Sequence, residues 1–189
     1  ELRSQLDEQS RSDGKAYELS IAGPAGYDKH SNFELQQIAE VVDFINIMAY
    51  DFHGAWDDRT NHQTPMDPNP MDWQAELPKQ LYNTRAAVQA YLDAGVPAEK
   101  IVVGSPFYGR AWKDVVPDNH GLFQPGTAQT SPSGPGNWEA GVFDYWKVVE
   151  MVQSGDFEPW YDGVSQAATA YGPAPGDAGS GMFITFESP

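Results

Sequence analysis

Val41-Val-Asp-Phe-Ile-Asn-Ile-Met-Ala-Tyr-Asp-Phe-His-Gly-Ala-Trp56 is the stretch whose reading decides the fold. Its first half is apolar and β-branched enough to predict a strand buried on both faces, over about residues 44–50. Its second half changes character within two residues, to Tyr50, Asp51, Phe52, His53, Gly54 and Trp56. A buried strand ending in a phenol, a carboxylate and aromatics places reactive groups at its C-terminal edge. That edge is where α/β barrels and open α/β sheets gather their active sites.

The segments before it fit an alternating α/β pattern. Leu2 and Leu6, spaced i, i+4 among charges, predict the last turns of an amphipathic helix, with a turn over 11–14. Residues 17–22 alternate and predict a strand that ends in the loop 23–26, and residues 32–40 a short helix. After the central strand, residues 51–71 are rich in Asp, Asn and Pro without a period. A structureless loop of that length in a compact domain is usually functional. Residues 77–94 turn helical, with Gly95 placed to end the helix and Pro97 beyond it. Residues 101–105 predict another short strand that runs directly into Tyr108 and Arg110.

Helix, strand, helix, strand, helix, strand implies parallel strands joined by right-handed crossovers. Three such strands alone leave two apolar edges without partners, which folded proteins avoid. From Lys113 the composition shifts to Gly, Pro, Ser and Thr, most strongly over 124–137. A second unit follows: helical spacing over 143–152, then segments 158–161, 167–171 and 182–186 that predict antiparallel strands. The reading is α/β, divided into residues 1–112 and 113–189, with no internal repeat.

Bulk composition narrows the function. The chain has 189 residues, 40% of them hydrophobic and 13% aromatic, which suffices for a packed core. Six Trp and nine Tyr among Gly, Pro, Asp and Asn suit a carbohydrate cleft, where flat rings stack on sugar faces, though each ring taken alone reads first as an interior aromatic. A net charge of −16 argues against nucleic acid or an anionic membrane as partner, because both are held by clustered Lys and Arg. The absence of Cys excludes disulfides and thiolate metal sites. The amino-terminal residues read as the middle of a helix rather than as a signal peptide.

Taken by itself, the Tyr50–Asp51 pair leaves two readings open. Asp51 can orient a substrate amide or tune a neighbouring acid while Tyr50 donates to a carbonyl oxygen. Alternatively, Asp51 caps a turn and Tyr50 is core. His53 and His62 share a loop with Asp57 and Asp58, but their spacing is not that of a helical ligand pair, so no metal is expected. Arg110 can bind a ligand or pair with a carboxylate to close its loop.

Two motifs together carry a family resemblance. Met48-Ala-Tyr50-Asp51 with Phe-His-Gly-Ala-Trp56 resembles the sixth strand of glycoside hydrolase family 18, the chitinases. Ile101-Val-Val-Gly-Ser-Pro-Phe-Tyr-Gly-Arg110 resembles its seventh. Residues 17–26 are similar to the fifth. Gly136-Asn-Trp138 with Tyr145, Trp160-Tyr-Asp162, Ala168 with Tyr171, and Phe183 through Pro189 resemble its inserted α+β domain. The resemblance implies part of a TIM (β/α)8 barrel, about strands five to seven, with the small α+β insertion preceding the eighth strand.

The same resemblance implies retaining, substrate-assisted hydrolysis of β-1,4-linked N-acetylglucosamine, needing no cofactor. Tyr50 would hold the acetamido carbonyl and Asp51 would lie beside the acid and the cleaved sugar. Met48 would line that pocket, Tyr108 and Arg110 would contact sugar hydroxyls, and Trp56 would offer a stacking face to the leaving group. Chitin or chito-oligosaccharides are the implied partners, together with the remaining strands of the barrel, and secretion is the implied location. The inserted unit suggests a deep cleft. The family's general acid is the Glu of an Asp-x-x-Asp-x-Asp-x-Glu motif, a spacing that these residues lack. The chain therefore reads as a fragment that begins after the acid and is inactive alone. A chitinase-like lectin that has lost the acid is the alternative, and retention of both Tyr50 and Asp51 favours the enzyme.

Overall fold

The computed structural model describes residues 1–74, 79–128, 134–174 and 177–188. Leu77, at the start of the expected helix, residues 129–133 of the Gly/Pro-rich stretch, and Pro189 lie outside them. The described strands form two sheets, one parallel and three-stranded, the other six-stranded.

The first sheet grows from helix–strand pairs. Helix α1 (Leu2–Asp13) precedes β1 (Ser20–Pro24); α2 (Tyr27–His30) and α3 (Leu35–Val41) lead into β2 (Phe44–Met48). Helix α4 (Thr84–Asp93) leads into β3 (Ile101–Val103). The strands are parallel in the order β1-β2-β3, with Pro24 opposite Met48 and Ile47 opposite Val103. Ile45 and Ile47 are fully buried against Leu35, Ala39, Ala87 and Tyr91. Phe44, Asn46 and Met48, on the opposite face, are only half-buried. The central strand is thus buried on one face and not on both, because among the described residues no layer covers the other. The expected edges are present too: β1 and β3 flank the sheet, and Val102 and Val103 are exposed.

Local chemistry moves several boundaries. The first helix runs through the expected turn and stops at Gly14, whose left-handed backbone (φ 70°) lets its N–H return to the Ser10 carbonyl. Strand β1 starts three residues later than the alternation suggests. Arg3 binds the Tyr17 carbonyl and the Asp43 carboxylate, and Asp43 takes the Leu19 N–H, so side chains occupy groups that a ladder would use. The strand then continues through Gly23, where a Cβ would collide with the Tyr91 hydroxyl and meet Ile45 at 2.9 Å. Helix α4 begins only at Thr84, because the Asn83 side chain caps it by accepting the Ala86 N–H at 2.8 Å. Gly95 closes it with φ +87°, as expected.

The second sheet contains β4 (Tyr108–Lys113), β5 (Thr127–Ala128), β6 (Val142–Asp144), β7 (Glu158–Asp162), β8 (Ala167–Ala174) and β9 (Asp177–Phe186), with α5 (Tyr145–Gln153) after β6. Its order is β5-β4-β9-β8-β7, and β6 also pairs with β4. The three expected strands are antiparallel neighbours. Tyr108–Lys113, which composition groups with the first unit, belongs to this sheet instead, from Gly109 opposite Phe186 to Lys113 opposite Met182. Alternation along β9 puts Met182 and Ile184 in one core with Val148 and Met151 of α5. It puts Phe183 in another with Trp112, Leu122 and Phe123.

The long loop after β2 joins the two sheets. Residues 60–64 are all buried, and several of their polar groups find partners inside, while His62 Nδ1, Gln63 Oε1 and Thr64 Oγ1 have none among the described residues. Gln63 donates through its amide to the Tyr108 carbonyl (2.7 Å) and through its backbone to Thr185 Oγ1 (3.1 Å). Thr60 donates to the Gly121 carbonyl at 2.6 Å. His62 Nε2 lies 3.1 Å from Asp162 Oδ2, which also accepts from Asn69 at 2.9 Å. No helix among the described residues is long and apolar enough to cross a membrane.

Candidate active site

The candidate side chains assemble at the C-terminal end of β2. Met48 closes the ladder, and Tyr50 and Asp51 follow as the chain turns. Asp51 adopts a left-handed backbone (φ 59°), a conformation that Asp tolerates better than most residues. Both groups that hold its carboxylate come from β4 of the other sheet. The Tyr108 hydroxyl donates to Asp51 Oδ1 at 2.8 Å, and Arg110 Nε donates to the same oxygen at 2.5 Å. Among the described residues nothing bonds to Asp51 Oδ2 or to the Tyr50 hydroxyl. Both are free to meet a ligand.

Electrostatics reinforce this arrangement. Burial pushes the Tyr108 hydroxyl well above its ordinary value, and the hydrogen bond to the Asp51 carboxylate pushes it further, so it remains a donor at any working pH. Burial alone would lower Arg110, but the hydrogen bond and charge of Asp51 outweigh it, and the guanidinium stays charged. Arg110 lies 4.7 Å from the Trp56 ring centroid and 5.6 Å from that of Tyr108, within cation–π range of both. The Tyr50 and Tyr108 rings meet edge to face, with centroids 6.3 Å apart.

A cleft of about 420 Å³ opens in front of these groups. Met48, Tyr50, Asp51 and Trp56 line it together with Pro24, Asp28 and Tyr82. Four of the six expected site residues therefore share one wall, while Tyr108 and Arg110 stand behind Asp51. Arg110 pairs with a carboxylate, that of Asp51, through its Nε. Asp28 and Tyr82 were invisible as site residues in the sequence. The Tyr82 hydroxyl donates to Asp28 at 2.8 Å and is raised to about 12, first by burial and then by that bond. Trp56 is 59% exposed, its face available to solvent.

The histidines serve the scaffold. His53 Nδ1 lies 3.0 Å from Asp57, and His62 binds Asp162, on β7. Among the described residues no group of three or more His, Asp or Glu converges as metal ligands do.

Comparison with known proteins supplies the family. The Glycosyl hydrolases family 18 match runs over residues 1–189. The chain belongs to glycosyl hydrolase family 18. It is 38% identical over 188 residues to Chitinase A1 of Niallia circulans, covering 98% of this chain and 26% of that protein. It is 39% identical over 146 residues to Chitinase 1 of Aphanocladium album, covering 76% of this chain and 32% of that protein. Among solved structures, Chitinase ChiA74 from Bacillus thuringiensis superposes with a TM-score of 0.85 at 30% identity, over 99% of this chain and 30% of that one. The chain thus spans between a quarter and a third of the length of these relatives. Within family 18 the two sheets take their places: the parallel strands are part of a (β/α)8 barrel, and the antiparallel sheet is the core of a small α+β insertion.

Proposed function

We propose that this chain carries the acetamide-holding side of a chitin-hydrolysing site. The observation behind the reading is the juxtaposition, at the mouth of β2, of a Tyr50 hydroxyl and an Asp51 Oδ2 that have no hydrogen-bond partner among the described residues. In this reading the Tyr50 O–H donates to the acetamido carbonyl of the sugar to be cleaved. Asp51 Oδ2 accepts the acetamide N–H, while Tyr108 and Arg110 fix Oδ1. The amide oxygen, held against the anomeric carbon, attacks it, an oxazolinium forms, and water opens that ring with net retention. Holding a nucleophile that the substrate already carries is an effective-molarity device. The leaving group's proton comes from a carboxylic acid that is not among the groups at this end of β2. The substrate is a polymer found outside cells, so the intact enzyme acts as a secreted protein.

The test is a titration of the chain with N-acetylglucosamine tetramer and, separately, with the glucose tetramer that lacks acetamides. Binding of the first alone is expected, and Tyr50→Phe should weaken it about tenfold, the loss of one hydrogen bond to a carbonyl. Equal binding of both sugars, or full affinity in Tyr50→Phe, would sink the reading.

A further inference from the structure

We propose that Gly54 is a positioning residue: its missing side chain seats the Trp56 indole over the Arg110 guanidinium, and so sets the platform on which a pyranose face stacks. The proposal rests on the functional reading above for its ligand, but its geometry stands independently.

Gly54 opens a tight turn, in which the Asp57 N–H returns to the Gly54 carbonyl at 2.9 Å. Its backbone lies outside the left-handed region that favours glycine. The turn therefore does not require glycine there, and on backbone grounds alanine would be slightly stabilising. The demand for glycine comes from what lies over it. A Cβ at residue 54 would fall well inside van der Waals contact of the Trp56 ring and would sit 2.9 Å from Arg110 Cδ.

One of those two neighbours must yield, and the structure says which. Arg110 is held by Asp51 at 2.5 Å and packed against the Tyr108 ring, with its side chain only 17% exposed. Trp56 is 59% exposed and bound to its place chiefly by the face of that same guanidinium. An added methyl group thus expels the indole and leaves the ion pair intact. The fold loses little, since the displaced ring moves into solvent. The cleft loses the plane that Trp56 presents to it. Gly54 separates stability from recognition at a single position.

The chain, labelled with 5-fluorotryptophan, provides a direct readout, because each of its six tryptophans gives a ¹⁹F resonance. Trp56→Leu assigns the resonance of Trp56. In Gly54→Ala that resonance is expected to move and the other five to stay, while the thermal midpoint holds within about 2 °C. Affinity for N-acetylglucosamine tetramer is expected to fall about tenfold, as in Trp56→Leu, and Gly54→Ala should add nothing further in the Trp56→Leu background. An unmoved Trp56 resonance overturns the proposal. A moved resonance with undiminished affinity overturns its functional half. If the unsubstituted chain binds no tetramer at all, the functional reading fails, while the resonance still decides the geometry.

Discussion

Asp51→Asn is expected to lower turnover of a chitobioside by about 10²-fold in the intact barrel, and to destabilise the chain by about 1–2 kcal/mol. Asparagine is the informative substitution, because it accepts the left-handed backbone at residue 51 as readily as aspartate does. Strain is therefore unchanged, and only the charge is removed. Two consequences follow for the partners. Tyr108 loses a charged acceptor for a neutral one, and a hydrogen bond to a charged group is the stronger kind. Arg110, with its side chain 17% exposed, keeps Glu139, beyond ion-pair distance, as its anionic neighbour among the described residues. Removing one member of a fully buried pair costs about 3–5 kcal/mol. Asp51 is 34% exposed on its side chain, and solvent screens the loss to the smaller figure given. Urea midpoints measure the stability and a chromogenic chitobioside the rate. A neutral result on both would show that Asp51 is a turn residue and no more.

The second large effect concerns acid stability. His62 is fully buried, its Nε2 bound to Asp162, and its Nδ1 has no partner among the described residues. A proton added at Nδ1 would find no acceptor. Burial accordingly lowers its affinity for protons below the ordinary 6.5, more than Asp162 raises it. The unfolded chain takes up a proton near pH 6.5 that the folded chain refuses. The resulting stability is full above that pH and is lost as pH falls toward the depressed folded value, at up to about 1.4 kcal/mol per unit. Burial opposes the ionised form of Asp162 as well, yet the bonds from His62, Ser165 and the Val164 N–H hold it well below the carboxylate range, so its own contribution persists until the pH drops under 3.8. His30 is lowered by burial too and shares the first window. His62→Gln is expected to cost about 2–4 kcal/mol at pH 7 and to flatten, though not abolish, the loss of stability between pH 6.5 and 5. Denaturation midpoints across that range decide it; an unaltered slope would mean that His62 does not titrate with folding.

The legible parts of this protein were those written in local sequence. The apolar run 44–48 and the turn residues after it put Met48, Tyr50, Asp51 and Trp56 on one wall, and the spacing over α4 and α5 reads directly as helix. What was not legible depends on distant partners. Tyr108–Lys113 carries no regular alternation, and its place in the second sheet is set by β9, at the far end of the chain. Arg110 could not be assigned until that pairing brought it to Asp51. His62 could not be given a role from the sequence, because its partner, Asp162, lies a hundred residues away on β7. Asp28 and Tyr82 gave no signal, since a short helix and a helical turn place them at the cleft by packing alone.

The long-range seam between β4 and β9 also has a kinetic meaning. Strands β8 and β9 are neighbours in sequence and pair with little loop to close, whereas β4 must wait for the chain's far end to return. Tyr108 and Arg110 ride on β4. The charged constellation around Asp51, 57 to 59 residues apart in sequence, is therefore expected to assemble after the β8–β9 hairpin. Pulse-labelled hydrogen exchange should protect the amides shared by β8 and β9 before those shared by β4 and β9; simultaneous protection would contradict this order. A partly folded molecule that has β2 but has not yet docked β4 can then hold the Tyr50 edge without holding the Asp51 carboxylate in place.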